Sequence, residues 1–209
     1  MRITHIERFN AEELLNALRQ TQLRGFGAPF IYEQASLELV PAMDTNLLCP
    51  AQRYVLRAGV AQVLELRDAL LPFGVDVFAL DGGVLIRTAE NPDELIPVIP
   101  PIVEESREPD GRTVNLINDG IHRVFAARSV GKRISVVLAR NVPLEYPYYA
   151  FAMPGGWTEV VAIDELPDNF QKKEYRQPEH YKALFRDFNA IFPGVQKQRK
   201  QSNPVHLRA

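Results

Sequence analysis

Apolar positions recur along this chain with two periods, and the switches between them outline its elements. Leu14, Leu15 and Leu18 follow at helical spacing behind Asn10, a residue type that caps helices. Glu12 and Glu13 sit where acidic side chains suit the positive end of the helix dipole. The spacing predicts a first helix, stopped in residues 24–29, where Gly25 can take the left-handed closing position. Residues 36–40 and 53–57 alternate as strands do, although Pro41 and Pro50 interrupt the segment. Val60, Val63, Leu64, Leu70 and Leu71 form a stripe broken only by Arg67, which predicts a helix over residues 60–71 ended by Pro72 and Gly74. The alternating runs 75–80 and 83–87 flank Asp81-Gly82-Gly83 and predict a hairpin, because glycine tolerates positive φ. Residues 92–97 suit a turn or a brief connecting helix.

The pattern is clearest in the middle of the chain. A strand over residues 100–106, entered through prolines, turns at Pro109-Asp110-Gly111 into a second strand over 113–118. The chain breaks at Asp119-Gly120, becomes helical over 121–130 and stops at Gly131. Residues 134–139 read as a β-branched, mostly buried strand. An aromatic loop follows over residues 146–151, closing on Pro154-Gly155-Gly156-Trp157, then a strand over 158–163. Tyr181, Leu184, Phe185, Phe188 and Ile191 predict a final docked helix over 179–192. The polar, basic run beyond Pro193-Gly194 is expected to be mobile.

Composition places this pattern in a soluble globular chain: 209 residues, 46% hydrophobic and 24% charged, long enough to bury a core without staples. One cysteine, Cys49, excludes an intramolecular disulfide framework and multi-cysteine metal sites. The first residues carry no long apolar run and no stretch of 18 apolar residues occurs, so a cytoplasmic protein without a membrane span is expected. The net charge of −2 is unevenly spread: residues 1–118 carry −7 and residues 119–209 carry +5. Residues 170–209 hold 9 basic side chains against 3 acidic ones. That excess suits either a weak nucleic-acid or protein partner, or a solvated helix with a frayed end.

Candidate chemistry concentrates at Asn118-Asp119-Gly120-Ile121-His122-Arg123. A strand ends, glycine turns the chain, and a helix opens with a histidine and an arginine in its first turn. Unpaired N–H groups and the positive dipole end make such a turn an anion site. Two basic side chains there are locally unfavourable, a conflict that bound phosphate would relieve. Removing Arg123 is accordingly expected to stabilise the empty protein slightly. Asp119 can cap the helix or hold a divalent cation beside the phosphates.

With its following Val124-Phe125-Ala126-Ala127-Arg128, Gly131-Lys132 and residues 134–138, this stretch resembles the ParB/sulfiredoxin-like superfamily in its order of strand, glycine turn with a basic pair, alanine-rich helix, glycine and strand. The resemblance is specific over residues 98–140 and extends back to about 56. It implies an α+β fold: a small mixed sheet with flanking helices as a core over residues 56–165, an N-terminal extension over 1–55, and a basic C-terminal helix and tail over 166–209. It also implies a nucleoside triphosphate and Mg2+, with phosphate held by Gly120, His122 and Arg123 and with Asp119 as the metal or catalytic carboxylate. His122 would donate to a phosphate oxygen or polarise the group transferred.

Departures from the family narrow the reading. Ile121 stands where sulfiredoxins have their cysteine, and isoleucine supplies no thiolate nucleophile. It also replaces the glutamate usual in chromosome-partitioning ParB proteins, and one predicted helix beyond the core is too little for a helix-turn-helix. There remain the relatives with Asp-Gly-x-x-Arg signatures, which include free-serine kinases and proteins described as ParB-like nucleases. The expected function is binding, with hydrolysis or transfer of phosphate from a nucleoside triphosphate. A DNA-binding or nuclease protein and a partner module switched by nucleotide are the alternatives. Glu104 or Glu105 could face the pocket as a base or metal ligand, or lie exposed at a turn. Trp157 could stack on a base or pack at an edge, and Cys49 reads as a small packed residue. His5, His180 and His206 are too scattered to form a metal site.

Overall fold

In the computed structural model, which describes residues 1–23, 30–168, 170–188, 191–193 and 195, the chain is α+β. It opens with β1 (Ile3–Asn10) and α1 (Ala11–Leu18), followed by β2 (Ser36–Met43), β3 (Leu48–Cys49) and β4 (Tyr54–Leu56). After α2 (Arg57–Leu70) come β5 (Gly82–Thr88), β6 (Ile96–Val98), β7 (Ile102–Arg107) and β8 (Thr113–Asp119). Then α3 (Ile121–Ser129) leads into β9 (Ile134–Arg140), and β10 (Val161–Ile163) closes the series.

The first helix forms where its cap predicts. Asn10 accepts from the Glu13 amide at 3.0 Å and the Glu13 carboxylate accepts from the Asn10 amide at 2.8 Å, a reciprocal capping box. The predicted stop at Gly25 lies outside the described residues. Helix α2 ends through a tight turn at Leu71–Phe73, with Gly74 left-handed at φ +71.

Five strands form the central mixed sheet in the order β2-β9-β7-β8-β3. Strands β7 and β8 are an antiparallel hairpin, and α3 carries the chain over to β9, which lies parallel to β7. Pleating divides the side chains between two faces. Val103, Ile117, Ile134, Val136 and Leu138 pack with Val124, Ala126 and Ala127 of α3 and with Leu70 of α2. Ile102, Val137 and Ala139 pack on the other face with Leu14 and Leu18 of α1, Tyr32 and Phe192. Strand β9 is thus buried on both faces, as its β-branched, largely apolar sequence predicts. Two smaller sheets, β1-β5-β6 and β10-β4, accompany this layer, and the expected flanking helices lie on both of its faces, α2 and α3 on one and α1 on the other.

Three predicted elements differ. Residues 75–80 are turns rather than one arm of a hairpin: Asp76 accepts from the Phe78 amide at 3.0 Å and pairs with Arg67 at 2.8 Å. They still bury Val75, Val77, Phe78 and Leu80, but in a loop and without strict alternation, and β5 pairs with β1 and β6 instead. Of residues 158–163 only Val161–Ile163 is strand, parallel to β4, after a 3-10 turn over Gly156–Glu159. The C-terminal helix over 179–192 is absent among the described residues, where residues 179–184 are turns. The reason is Arg186, which is 2% exposed. Its guanidinium donates to the Leu184 carbonyl at 2.8 Å and pairs with Glu104 at 2.9 Å, so the chain is held by side-chain bonds in place of a helical ladder.

Candidate functional site

Helix α3 begins without a side-chain cap. Its N-cap is Gly120 at φ +86, a conformation that suits glycine, and a Cβ there would also come within 2.9 Å of both Pro101 Cβ and Arg123 Nη2. Glycine therefore serves twice, by making the turn and by letting the guanidinium lie over it. Asp119 does not cap the helix. Its Oδ2 accepts from Arg123 Nη2 at 2.6 Å, an i,i+4 pair with the carboxylate half exposed. Arg123 Nη1 donates to the Ile99 carbonyl. The predicted conflict at the helix start is thus met in part by Asp119, and the first-turn N–H groups carry no capping side chain.

His122 turns inward. Its Nε2 accepts from the Leu56 amide at 3.3 Å, which requires neutral imidazole and leaves Nδ1–H as the ring's donor. Burial pushes its pKa below the ordinary value, with Lys172 adding to the effect. Gly59 of α2 makes room, since a Cβ there would lie 2.6 Å from the ring.

The structure brings residues to this turn that sequence reasoning passed over. Residues 170–188 cross the sheet as a strap. Arg53 N donates to the Lys172 carbonyl at 3.1 Å, which fixes Lys172 beside β4 and His122. Lys173 Nζ donates to the Tyr148 and Tyr149 hydroxyls at 2.7 and 2.6 Å and lies 5.1 and 4.5 Å from their ring centroids. Tyr148 in turn donates to the Asn118 carbonyl at 3.0 Å, one residue before Asp119. Burial lowers the Lys173 pKa to about 7, with Lys172 adding and Asp119 opposing. The signal for these residues is the basic excess after residue 170, which by itself suits either a partner segment or a solvated helix.

Part of that excess is internal among the described residues. Arg176 pairs with Glu108 and donates to Ser106 Oγ at 3.1 Å, while Arg186 pairs with Glu104. Pleating puts residues 102, 104 and 106 of β7 on one face, and the strap lays its arginines on that face. Glu104 is therefore neither an exposed turn carboxylate nor a pocket base: it is 3% exposed, accepts from Tyr32 at 2.6 Å and is paired with Arg186. Glu105 is exposed, 3.9 Å from Arg140. Trp157 packs, donating to the Thr45 and Leu48 carbonyls at 3.0 and 2.8 Å. Burial raises the Cys49 pKa and so disfavours its thiolate. His5 and His180 are exposed and far apart in sequence, and His206 lies outside the described residues. A cleft of about 470 Å3 lies at the opposite end of α3, lined by Asp44, Asn46, Arg128 and Lys132, and none of the predicted site residues reaches it.

Among the described residues no cluster of three or more His, Cys, Asp or Glu side chains would hold a metal ion. Asp119 is a single carboxylate. That suits Mg2+ only in the manner of nucleotide enzymes, where one or two carboxylates and the substrate phosphates share the ion. No described helix is long and apolar enough to cross a membrane.

Residues 13–161 match the ParB CE domain family, and the chain belongs to it. The match takes in β2 and β3, which complete the edges of the central sheet, as well as the hairpin, glycine turn and α3. No curated protein and no solved structure matches the chain.

Proposed function

We propose that this ParB-like protein binds a nucleoside triphosphate at the Asp119-Gly120 turn, and that β7, β8, α3 and β9 are its ParB/sulfiredoxin-like nucleotide core. The observation that carries the reading is the start of α3: an uncapped helix end, opened by a left-handed glycine and surrounded by Arg123, His122 and Lys172. Such an end presents N–H groups and the positive dipole to an anion. Phosphate would lie against Gly120 and Arg123, whose guanidinium matches phosphate oxygens in pairs. Neutral His122 would contribute Nδ1–H. Asp119 would hold Mg2+ once phosphate replaces it as the partner of Arg123. Hydrolysis or transfer at this site would depend on positioning and charge stabilisation rather than on a protein nucleophile, since Ile121 offers none. A bound metal would supply charge to the phosphates.

A thermal-shift panel of the four nucleoside triphosphates, each with and without magnesium, tests the reading. A ligand at 100 times its Kd stabilises by about 2.7 kcal/mol, which is readily visible. A shift with at least one nucleotide that is lost in Arg123→Lys is the expected result. No shift with any of the four at millimolar concentration would defeat the proposal.

A further inference from the structure

Lys172 and Lys173 are both partly withdrawn from water, and neither has a carboxylate within ion-pairing distance among the described residues. A desolvated ammonium without a counter-ion is costly. Four other cations that lie at least partly inside do have carboxylate partners: Arg67 with Asp76, Arg123 with Asp119, Arg176 with Glu108 and Arg186 with Glu104. Lys173 instead has two phenol oxygens, which are dipoles and carry no charge. The carboxylate that acts on it electrostatically is Asp119, already held by Arg123. The strap therefore brings an amine with no carboxylate partner, poised near neutral pH between its charged and neutral forms, one hydroxyl away from the Asn118 carbonyl.

We infer that Lys173 is a phosphate ligand of this site, held ready by Tyr148 and Tyr149, and that the strap completes an anion site whose other half is the start of α3. The ligand class is a polyphosphate, since the turn and the strap approach from different elements and one phosphate group need not satisfy both. The inference rests on the nucleotide reading for the identity of the ligand but not for the presence of the anion site. On binding, the neutral fraction of Lys173 takes up a proton from solvent and the ammonium exchanges phenol oxygens for phosphate oxygens, while Tyr148 keeps its bond to Asn118. Lys172, on the same segment, adds charge without a direct contact being required of it.

Calorimetric titration of the full chain at pH 7 with magnesium–nucleoside triphosphates, and separately with tripolyphosphate, tests this. Lys173→Met should weaken both by tenfold or more. Lys182→Met, which removes an exposed strap charge, should leave both within about twofold. Unchanged binding by Lys173→Met would overturn the inference and leave the glycine-turn reading standing. Tripolyphosphate binding that needs Lys173, with no nucleotide bound, would support the anion site and defeat the nucleotide reading. Failure of the wild type to bind either probe would overturn both. Reductive methylation of the wild type, mapped by mass spectrometry, provides a readout that does not depend on the variant folding. Saturating tripolyphosphate should protect Lys173 and not Lys182, and equal labelling of Lys173 with and without the anion would count against the inference.

Discussion

Arg123 shows how a single residue can reverse an expectation drawn from local rules. At the start of an isolated helix a cation is unfavourable, and its removal would stabilise the empty protein. In the fold its guanidinium joins the Ile99 carbonyl to Asp119 and covers Gly120. Removing it leaves a carbonyl and a half-exposed carboxylate without their donor. Arg123→Ala is therefore expected to destabilise the empty protein by about 1–2 kcal/mol, a modest figure because the Asp119 end of the bridge is exposed. Urea denaturation without ligand measures it. A gain in stability would show that the dipole penalty outweighs the bridge. Sequence spacing identified the residue; it could not show the Ile99 carbonyl, which belongs to a segment 24 residues away.

At the scale of elements, the legible parts were those whose cause is local. The Asn10 cap of α1, the β7–β8 hairpin, Gly120 and Gly131 each act within a few residues, and both glycines hold positive φ. Residues 75–80 misled because apolar spacing reports burial, and a loop that packs on the core buries Val75, Val77, Phe78 and Leu80 without forming a strand. The inward turn of His122 was equally hidden, since its acceptor role depends on Leu56, 66 residues earlier. That bond ties α3 to the end of β4 and carries a pH dependence of definite sign. The folded pKa lies below the unfolded value of about 6.5, so the unfolded chain takes up the proton first as pH falls. The stabilisation is complete above pH 6.5 and is lost progressively below it. Wild-type Tm should fall more steeply than that of His122→Ala between pH 7 and 5. Parallel slopes would mean that the ring is not held neutral by the fold.

At the scale of the whole molecule, the uneven charge is a matter of assembly. A −7 half and a +5 half suggested an exposed basic tail, yet Arg176 and Arg186 reach back to Glu108 and Glu104 in the acidic half. The residues that lie inside cannot serve a nucleic-acid surface. They draw the strap across β7 and so set Lys172 and Lys173 beside the glycine turn. Two hydrogen-bonded routes from the strap meet at Asn118: Arg186 through Glu104 and Tyr32 to its side chain, and Lys173 through Tyr148 to its carbonyl. The position of the strap and the geometry of the turn are therefore set together. Arg186→Met tests this arrangement, because it strands Glu104 as a buried, unpaired charge. The expected loss is about 3–5 kcal/mol, read by chemical denaturation. Adding Glu104→Gln removes the stranded charge while keeping an acceptor for Tyr32, and should recover most of that loss. If the single variant loses less than about 1 kcal/mol, Arg186 does not hold the strap. If the double variant is no better than the single, the loss comes from the carbonyls of Tyr146, Pro147 and Leu184 that Arg186 also binds, and the strap is held by the loop rather than by the sheet.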